Sequence, residues 1–286
     1  MSGQRIGVVR ELWRYPVKSM GGETLATCAL GMLGISADRG WAVRDEDAGE
    51  IRGAKKLPAL LGCEARYRTE PIGDDVPHAD IVLPDGTKTT TDDPDIDGKL
   101  SALVGRRVRL HPRRPPDDRD HYRRGLPDLP DMEAELRQIF GRTPDEPLPD
   151  LSVLPPELFE FTSPPGTYFD VSTIHLLTTA SLAALGPGDR FDRRRFRPNV
   201  LVETDPGTTG LVEASWAGRT IGIGDAAVRG EIPTMRCVMV TLPQPGLGKE
   251  PGVLRTIVRD AGQNLGLYAA VSEAGKIAVG DPVVLF

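Results

Sequence analysis

The chain has 286 residues, more than one hydrophobic core usually contains, so its length predicts two domains or one large barrel. Its 35 Lys and Arg against 41 Asp and Glu give a net charge of -6. That charge argues against a protein built mainly to bind nucleic acid or an anionic membrane. No apolar run approaches the ~20 residues of a membrane span, and the N-terminus has no secretory signal. We therefore expect a cytoplasmic protein.

The first hundred or so residues are predicted to be mostly β, because short apolar or alternating stretches are separated by turn residues. The predicted strands lie at 7–13, 24–26, 41–43, 80–83, 87–90 and 107–110. Pro84-Asp85-Gly86 is a strong reversal signal between two of them, and 45–49 has the composition of a hairpin turn.

Proline is concentrated in the middle of the chain, where 12 of the 26 prolines lie between Pro112 and Pro165. Each proline removes a backbone donor and restricts the residue before it, so regular structure is interrupted repeatedly. One short helix is predicted over 131–140, with Asp131 as its N-cap. We interpret the segment as a long connection over the surface, with a disordered linker as the alternative.

The last third of the chain is predicted to form a barrel-like β domain with a few helices. A helix is predicted over 178–185, ended by Gly186, and a second over 253–264. Strands are predicted at 199–203, 220–223, 226–228 and 238–241, followed by a hairpin over 267–286 that turns at Ala274-Gly275.

Several common chemistries have no signature in this sequence. It lacks GxGxxG after a strand, GxxxxGK[ST], HExxH and GxSxG, and its four histidines lack zinc-site spacing. The three cysteines, Cys28, Cys63 and Cys237, are widely separated and cannot supply the four thiolates of a typical iron–sulfur cluster. Their odd number also argues against a disulfide framework, as expected in a reducing compartment.

Three segments, in order along the chain, carry a family resemblance. The first is Arg14-Tyr15-Pro16-Val17-Lys18-Ser19 with Gly34 and Asp38-Arg39; the second is 169–182 with Arg195-Phe196-Arg197-Pro198-Asn199-Val200; the third is Pro233-Thr234-Met235-Arg236-Cys237 with 277–283. Together they resemble the MOSC-domain proteins (molybdenum cofactor sulfurase C-terminal domain) that carry an N-terminal MOSC β-barrel domain. Within that group the chain is similar to the amidoxime-reducing component family.

The resemblance implies a mainly β (α+β) fold with the cofactor in a cleft between two domains. Residues 1–125 correspond to the N-terminal β-barrel domain, 126–165 to the proline-rich connection, and 166–286 to the MOSC β-barrel with a few short helices.

The resemblance also implies a molybdenum cofactor (Mo-molybdopterin), with Cys237 as metal ligand and catalytic residue. A soft thiolate suits such a metal, and neighbouring Arg236 would favour the thiolate. The alternative is that Cys237 is only a small buried apolar residue. Cys28 and Cys63 lack a motif, and we expect them to be structural.

The cofactor ends in a phosphate, which requires cations and hydroxyl or amide donors. The residues that match family positions for cofactor binding are Lys18, Ser19, Arg39, Ser172, Thr173, Arg197, Asn199, Thr234, Arg236 and Tyr268. Here the small hydroxyl pair appears as Val171-Ser172-Thr173, altered from the family pattern. For each cation the alternative is a solvated surface charge or an ion pair.

The implied function is the reduction of a small N-hydroxylated substrate, such as an amidoxime or hydroxylamine, to the amidine or amine. Electrons would come from a separate ferredoxin, flavoprotein or cytochrome-type protein, and neither nucleic acid nor membrane is an expected partner. A sulfur carrier with a persulfide on Cys237 is the main alternative. A protein that stores or inserts the cofactor is a third possibility.

Overall fold

The computed structural model describes residues 3–186 and 188–286. Its strands are β1 (Gln4–Arg14), β2 (Glu23–Leu25), β3 (Thr27–Gly31), β4 (Gly34–Ile35), β5 (Trp41–Asp45), β6 (Glu50–Ile51), β7 (Glu64–Tyr67), β8 (Ala79–Val82), β9 (Lys88–Thr90), β10 (Val108–Pro112), β11 (Ile174–Thr178), β12 (Val200–Thr204), β13 (Thr220–Ile223), β14 (Ala226–Met235), β15 (Asn264–Glu273), β16 (Gly275–Ala278) and β17 (Pro282–Leu285). The α-helices are α1 (Ile96–Val104), α2 (Arg119–Tyr122), α3 (Met132–Phe140), α4 (Glu157–Glu160), α5 (Thr179–Leu185) and α6 (Pro251–Asp260). Short 3-10 helices include Leu151–Val153, Arg193–Arg195 and Val238–Thr241.

Seven strands close into a barrel. Their order is β12-β11-β15-β14-β13-β17-β1, and pairing of β1 with β12 closes the ring. Leu12 lies opposite Val200 in that last pair, and both are fully buried in the barrel core. The first strand of the chain therefore completes a barrel whose other six strands come from residues 174–285. The predicted mainly β fold is confirmed.

Small sheets and one helix surround a second core in the N-terminal half. Strands β10-β5-β6 form one sheet and β7-β8-β9 another, and single bridges, including Val17 with Trp41, connect the elements. All six strands predicted in this half occur, and the Pro84–Gly86 reversal joins β8 to β9. Strands β3, β4, β6 and β7 and helix α1 were not predicted, because they are short or lack clear periodicity.

The proline-rich segment is packed into the fold. Helix α3 occurs as predicted: the Asp131 side chain accepts a hydrogen bond from the Glu133 N–H at 3.0 Å, and Gly141 follows with a φ of 60°. Tyr122 and Phe161 of this segment are fully buried together with Tyr168. A disordered linker, the alternative, is therefore wrong.

Three predictions in the last third are corrected. Residues 238–241 form a 3-10 helix instead of a strand, since so short an apolar run does not distinguish the two. The helix predicted over 253–264 ends at Asp260, because Gly262 and Gln263 adopt positive φ. The predicted hairpin at Ala274-Gly275 is absent: β16 pairs with β3, whereas β15 pairs with β14 and β11.

The helix predicted over 178–185 is confirmed, with Thr178 as its N-cap. In the described residues no helix is both long and apolar enough to cross a membrane.

Truncation of the barrel core from its first strand should destabilise the protein. Leu12→Ala removes a side chain with no exposed area, and we expect a loss of about 2–5 kcal/mol in the free energy of unfolding. The matched control Leu126→Ala, at a side chain that is 86% exposed, should change it by less than about 0.5 kcal/mol. Denaturant unfolding measures both, and equal effects would show that β1 is not part of the barrel core.

Candidate functional site

One cavity of about 540 Å³ is lined by the N-terminal half, the proline-rich segment and the barrel together. Its cationic lining residues are Lys18, Arg39, Lys55, Lys56, Arg124, Arg195, Arg197 and Arg236, and its acidic ones are Glu135 and Asp170. Eight cations against two carboxylates make this cavity strongly positive in a chain whose net charge is -6. Such a cavity concentrates anions.

Nine of the eleven predicted site residues line this cavity: Lys18, Ser19, Arg39, Ser172, Arg197, Asn199, Arg236, Cys237 and Tyr268. Thr173 and Thr234 are not among the lining residues. The Thr173 hydroxyl donates to the Ala269 carbonyl at 3.4 Å, and the Thr234 hydroxyl is buried in β14 with no hydrogen-bond partner.

Lys18 is held by an acidic partner that the sequence analysis did not identify as a site residue. Its Nζ donates to the Tyr168 carbonyl at 2.7 Å and to Asp170 Oδ1 at 2.8 Å. Burial lowers the pKa of Lys18. Burial would raise the pKa of Asp170, but Lys18 and Lys55 hold it well below its usual range. Asp170 thus stays ionised and fixes Lys18 in the cavity wall.

Lys55 was also missed, because it matches no motif. Its Nζ lies 3.7 Å from Asp170 Oδ1, beyond hydrogen-bond distance, and its side chain is 34% exposed. The pKa of Lys55 is raised, mainly by Asp170 and also by the Cys237 sulfur. Lys55 therefore remains charged and is available to a ligand.

Two arginines stack on one tyrosine ring. The guanidinium carbon of Arg197 lies 4.1 Å from the centroid of the Tyr15 ring, and that of Arg39 lies 5.2 Å from it. Arg197 Nη1 donates to the Met20 carbonyl at 2.5 Å, but its Nη2 is buried without a partner. Burial lowers the pKa of Arg197 to about 10, so it is still charged at neutral pH. A charged donor without a partner, in a cation-lined cavity, is suited to an anion.

The Asp38 carboxylate connects these parts. Its Oδ1 accepts from the Tyr15 N–H at 2.8 Å, while its Oδ2 accepts from Asn199 Nδ2 at 2.9 Å and from Arg39 Nη1. Asn199 Oδ1 in turn accepts from the His175 N–H at 3.1 Å. The amide of Asn199 is thus occupied by protein groups, which indicates a positioning role.

The backbone around the cavity is strained. Ser19, Arg39 and Arg197 have φ of 70°, 51° and 55°, in the left-handed region that is uncommon for residues with a side chain. They are three of the five such non-glycine residues in the described chain. Strain of this kind is concentrated where a fold must position functional groups. Ser19 is also fixed by its hydroxyl, which accepts from the Ala54 N–H at 2.9 Å.

Cys237 differs from the other two cysteines. It follows β14 and precedes the 3-10 helix Val238–Thr241, and its side chain is only partly buried in the cavity wall. Cys28 and Cys63 are buried, and burial raises the pKa of each to about 12. Only the Cys237 sulfur is therefore placed to meet a ligand in this cavity.

Arg236, beside Cys237, uses its guanidinium on the protein. Its Nε donates to the Leu265 carbonyl at 2.8 Å, its Nη1 to the Phe196 carbonyl at 3.2 Å, and its Nη2 to His175 Nε2 at 2.7 Å. Arginine has no acceptor, so His175 Nε2 must be unprotonated. The Nδ1–H of His175 then donates to the Arg197 carbonyl at 3.3 Å.

Neutral His175 consequently links the segment of Arg236 to the segment of Arg197 through its two ring nitrogens. Burial and then Arg236 lower its pKa well below the usual value. The sequence analysis found only that the four histidines lack zinc-site spacing, and it assigned no role to His175. The role of His175 in linking these two segments was not predicted, because an isolated histidine has no spacing pattern that indicates such a role.

Two further predicted residues lie on the barrel side of the cavity. The Ser172 hydroxyl donates to the Ala269 carbonyl at 2.7 Å. Tyr268 lies opposite His175 in the β11–β15 pair, with ring centroids 5.8 Å apart. Burial raises the pKa of Tyr268 to about 12, so its hydroxyl keeps its proton at neutral pH.

Two family models match this chain. The MOSC domain matches residues 166–284, and the MOSC N-terminal beta barrel domain matches residues 6–92. The chain is a MOSC-domain protein with an N-terminal MOSC β-barrel domain. The first match contains Arg197, Arg236 and Cys237, and the second contains Lys18 and Arg39, so the cavity draws on both domains.

Several proteins are similar to this MOSC-domain protein over nearly its whole length. Mitochondrial amidoxime reducing component 2 of Rattus norvegicus is 27% identical over 98% of this chain and 83% of its own. Mitochondrial amidoxime-reducing component 1 of Homo sapiens is 24% identical over 99% of this chain and 84% of its own. Among solved structures, the YuaD protein from Bacillus subtilis aligns over 99% of this chain and 98% of its own, with 13% identity and a TM-score of 0.44.

The buried neutral His175 predicts a pH dependence of stability. Because its pKa is lower in the folded than in the unfolded state, the unfolded chain binds more protons below about pH 6.5. His175 therefore makes the free energy of unfolding decrease as the pH is lowered below about 6.5, by up to about 1.4 kcal/mol per pH unit. In His175→Gln, whose side-chain oxygen still accepts from Arg236, denaturant unfolding between pH 7 and pH 5 should give a shallower fall. Parallel curves for the two proteins would contradict the neutral tautomer.

Proposed function

We propose that this protein is an oxidoreductase that reduces N-hydroxylated compounds with a molybdenum–pterin cofactor bound in the cavity. The observation that carries the proposal is the pairing of one accessible sulfur, that of Cys237, with a cation-lined wall that holds the unpartnered Nη2 of Arg197. Its similarity to proteins named amidoxime reducing components supports the reaction.

The residues present fit such a cofactor. A phosphate group requires charged donors with free capacity, and Arg197 Nη2 and the Lys55 ammonium provide it. A thiolate ligand for the metal requires a cysteine in the cavity wall, and Cys237 is one. A volume of about 540 Å³ lies within the range of ligand sites. We propose that Cys237 ligates the metal and that the anion end of the site is formed by Lys18, Ser19, Arg39, Lys55 and Arg197.

The cofactor, when bound, supplies the two-electron chemistry that breaks an N–O bond. For an amidoxime the balance is one substrate, two electrons and two protons giving one amidine and one water. The protein binds and orients: Asp38 and Tyr15 fix the two arginines, and Asp170 fixes Lys18. Tyr268 keeps its phenolic proton, so its Oη can donate a hydrogen bond into the cavity.

We further propose that the electrons come from a separate ferredoxin, flavoprotein or cytochrome-type protein.

The sulfur-carrier alternative also uses Cys237, but a persulfide on that residue needs no site for a large anion. Eight lining cations and a buried unpartnered guanidinium nitrogen favour a phosphate-bearing ligand.

Loss of the cysteine ligand should abolish metal binding. Purified from a host that makes molybdenum cofactor, the unaltered protein should contain about one molybdenum and one pterin per chain. Cys237→Ala should contain less than about a tenth of that metal, because the thiolate is a direct ligand. The control Cys28→Ala, at a buried cysteine outside the cavity, should keep it. Elemental analysis and fluorescence of the oxidised pterin measure both contents.

Undiminished molybdenum in Cys237→Ala would remove Cys237 from the metal site. An unaltered protein with neither metal nor pterin, but with a persulfide on Cys237 by mass spectrometry, would overturn the reductase in favour of the sulfur carrier.

Loss of the Arg197 guanidinium, whose Nη2 has no protein partner, should weaken cofactor retention. In Arg197→Gln we expect pterin content to fall about ten-fold, because a buried charged donor to the phosphate is lost. Arg197→Lys keeps the charge without the second donor and should be intermediate. The exposed control Arg10→Gln should retain the cofactor fully. Full pterin occupancy in a folded Arg197→Gln, checked by circular dichroism, would contradict the anchoring role.

A further inference from the structure

Helix α3 of the proline-rich segment turns an apolar face to the cavity. Met132, Leu136, Ile139 and Phe140 all line it, and their spacing places them on one side of the helix. Among the described residues, none of these four belongs to the hydrophobic clusters of the fold. An apolar helix face normally buries itself in a core, so this one lacks its usual partner.

The helix is anchored at both ends. Near its start, Glu135 Oε1 pairs with Lys56 Nζ at 3.0 Å, and Glu135 Oε2 accepts from the Leu129 N–H at 3.2 Å. Just after its end, Arg142 donates to the Arg236 carbonyl at 3.1 Å and to Gln263 Oε1 at 3.0 Å. These bonds hold α3 against both halves of the molecule and beside the segment that carries Cys237.

The following residues extend the same apolar surface. Leu151, Leu154, Leu158 and Phe159 line the cavity from the Leu151–Val153 turn and α4, and Ile232, Met235, Met239 and Val240 line it from β14 and the 3-10 helix after Cys237. The cavity lining therefore combines cations, which suit the phosphate of a cofactor, with a large set of apolar side chains, which neither a phosphate nor a metal would use.

We propose that the apolar lining residues of this segment form an arm that binds the hydrocarbon part of the substrate; they are Met132, Leu136, Ile139, Phe140, Leu151, Leu154, Leu158 and Phe159. The substrate class is then an N-hydroxylated compound with an aryl or medium-length alkyl group, in preference to a small polar one. The inference depends on the proposed function for the reacting group, and its occupant is argued from continuity: the arm and Cys237 line one cavity.

Binding of two amides that cannot be reduced tests the arm directly. Titration calorimetry on the cofactor-loaded full chain should show benzamide binding about ten-fold or more tightly than acetamide, since each buried methylene changes affinity about four-fold. Leu154→Gln places an amide in the arm and should reduce this ratio about four-fold or more. Leu136→Gln on α3 should act in the same direction, and neither site belongs to a core cluster.

Val153→Gln is the matched control. Val153 precedes Leu154, is 51% exposed and does not line the cavity, so the same substitution should leave the amide ratio unchanged. Equal affinity for both amides, or a ratio that Leu154→Gln and Leu136→Gln leave unchanged, would overturn the inference.

A rate measurement separates this inference from the proposed function. With a chemical electron donor, the loaded protein should show a higher kcat/KM for benzamidoxime than for acetamidoxime, by about the ratio of the amide affinities. If neither amidoxime is reduced while the amide ratio responds to Leu154→Gln, the apolar arm is supported as a binding site and the reductase is wrong. If both are reduced at equal kcat/KM, the reductase is supported and the arm is not a substrate site.

Discussion

The site depends on the hydrogen bonds that the Asp38 carboxylate accepts. This carboxylate is buried between the two halves of the chain, where it accepts from the Tyr15 backbone, from Asn199 and from Arg39. A buried carboxylate is tolerated only when its oxygens are fully used, so the surrounding segments must take these positions together. The Tyr15 ring also stacks against Arg197, so the Asp38 carboxylate determines the position of both stacked arginines.

Several positive charges of the cavity are buried, where the loss of hydration makes a charge most costly to the folded state. Lys18, Arg197 and Arg236 are buried, and burial lowers the pKa of each. The cost is offset in different ways: Asp170 pairs with Lys18, and carbonyl groups accept from Arg236. Arg197 alone of these three retains a buried donor without a partner. Its strained backbone fits the same interpretation, since a fold keeps unfavourable features where binding uses them.

Sequence patterns predicted local features well where one residue decides the structure. The Asp131 cap, the Pro84–Gly86 reversal and the Gly186 stop all depend on short-range chemistry, and each occurs. The family resemblance pointed to nine residues that line the cavity, which composition alone could not do. Lys55 and the neutral tautomer of His175 were not predictable, because they depend on contacts between distant segments. Strand pairing was also beyond sequence, as the separation of β15 from β16 shows.

A crystal structure of the cofactor-loaded protein, with diffraction collected above and below the molybdenum absorption edge, tests the central claim most directly. The account predicts one anomalous peak at bonding distance from the Cys237 sulfur, and phosphate density in contact with Arg197 Nη2. A peak elsewhere, or a cavity that holds a pterin whose phosphate contacts neither Arg197 nor Lys55, would contradict it.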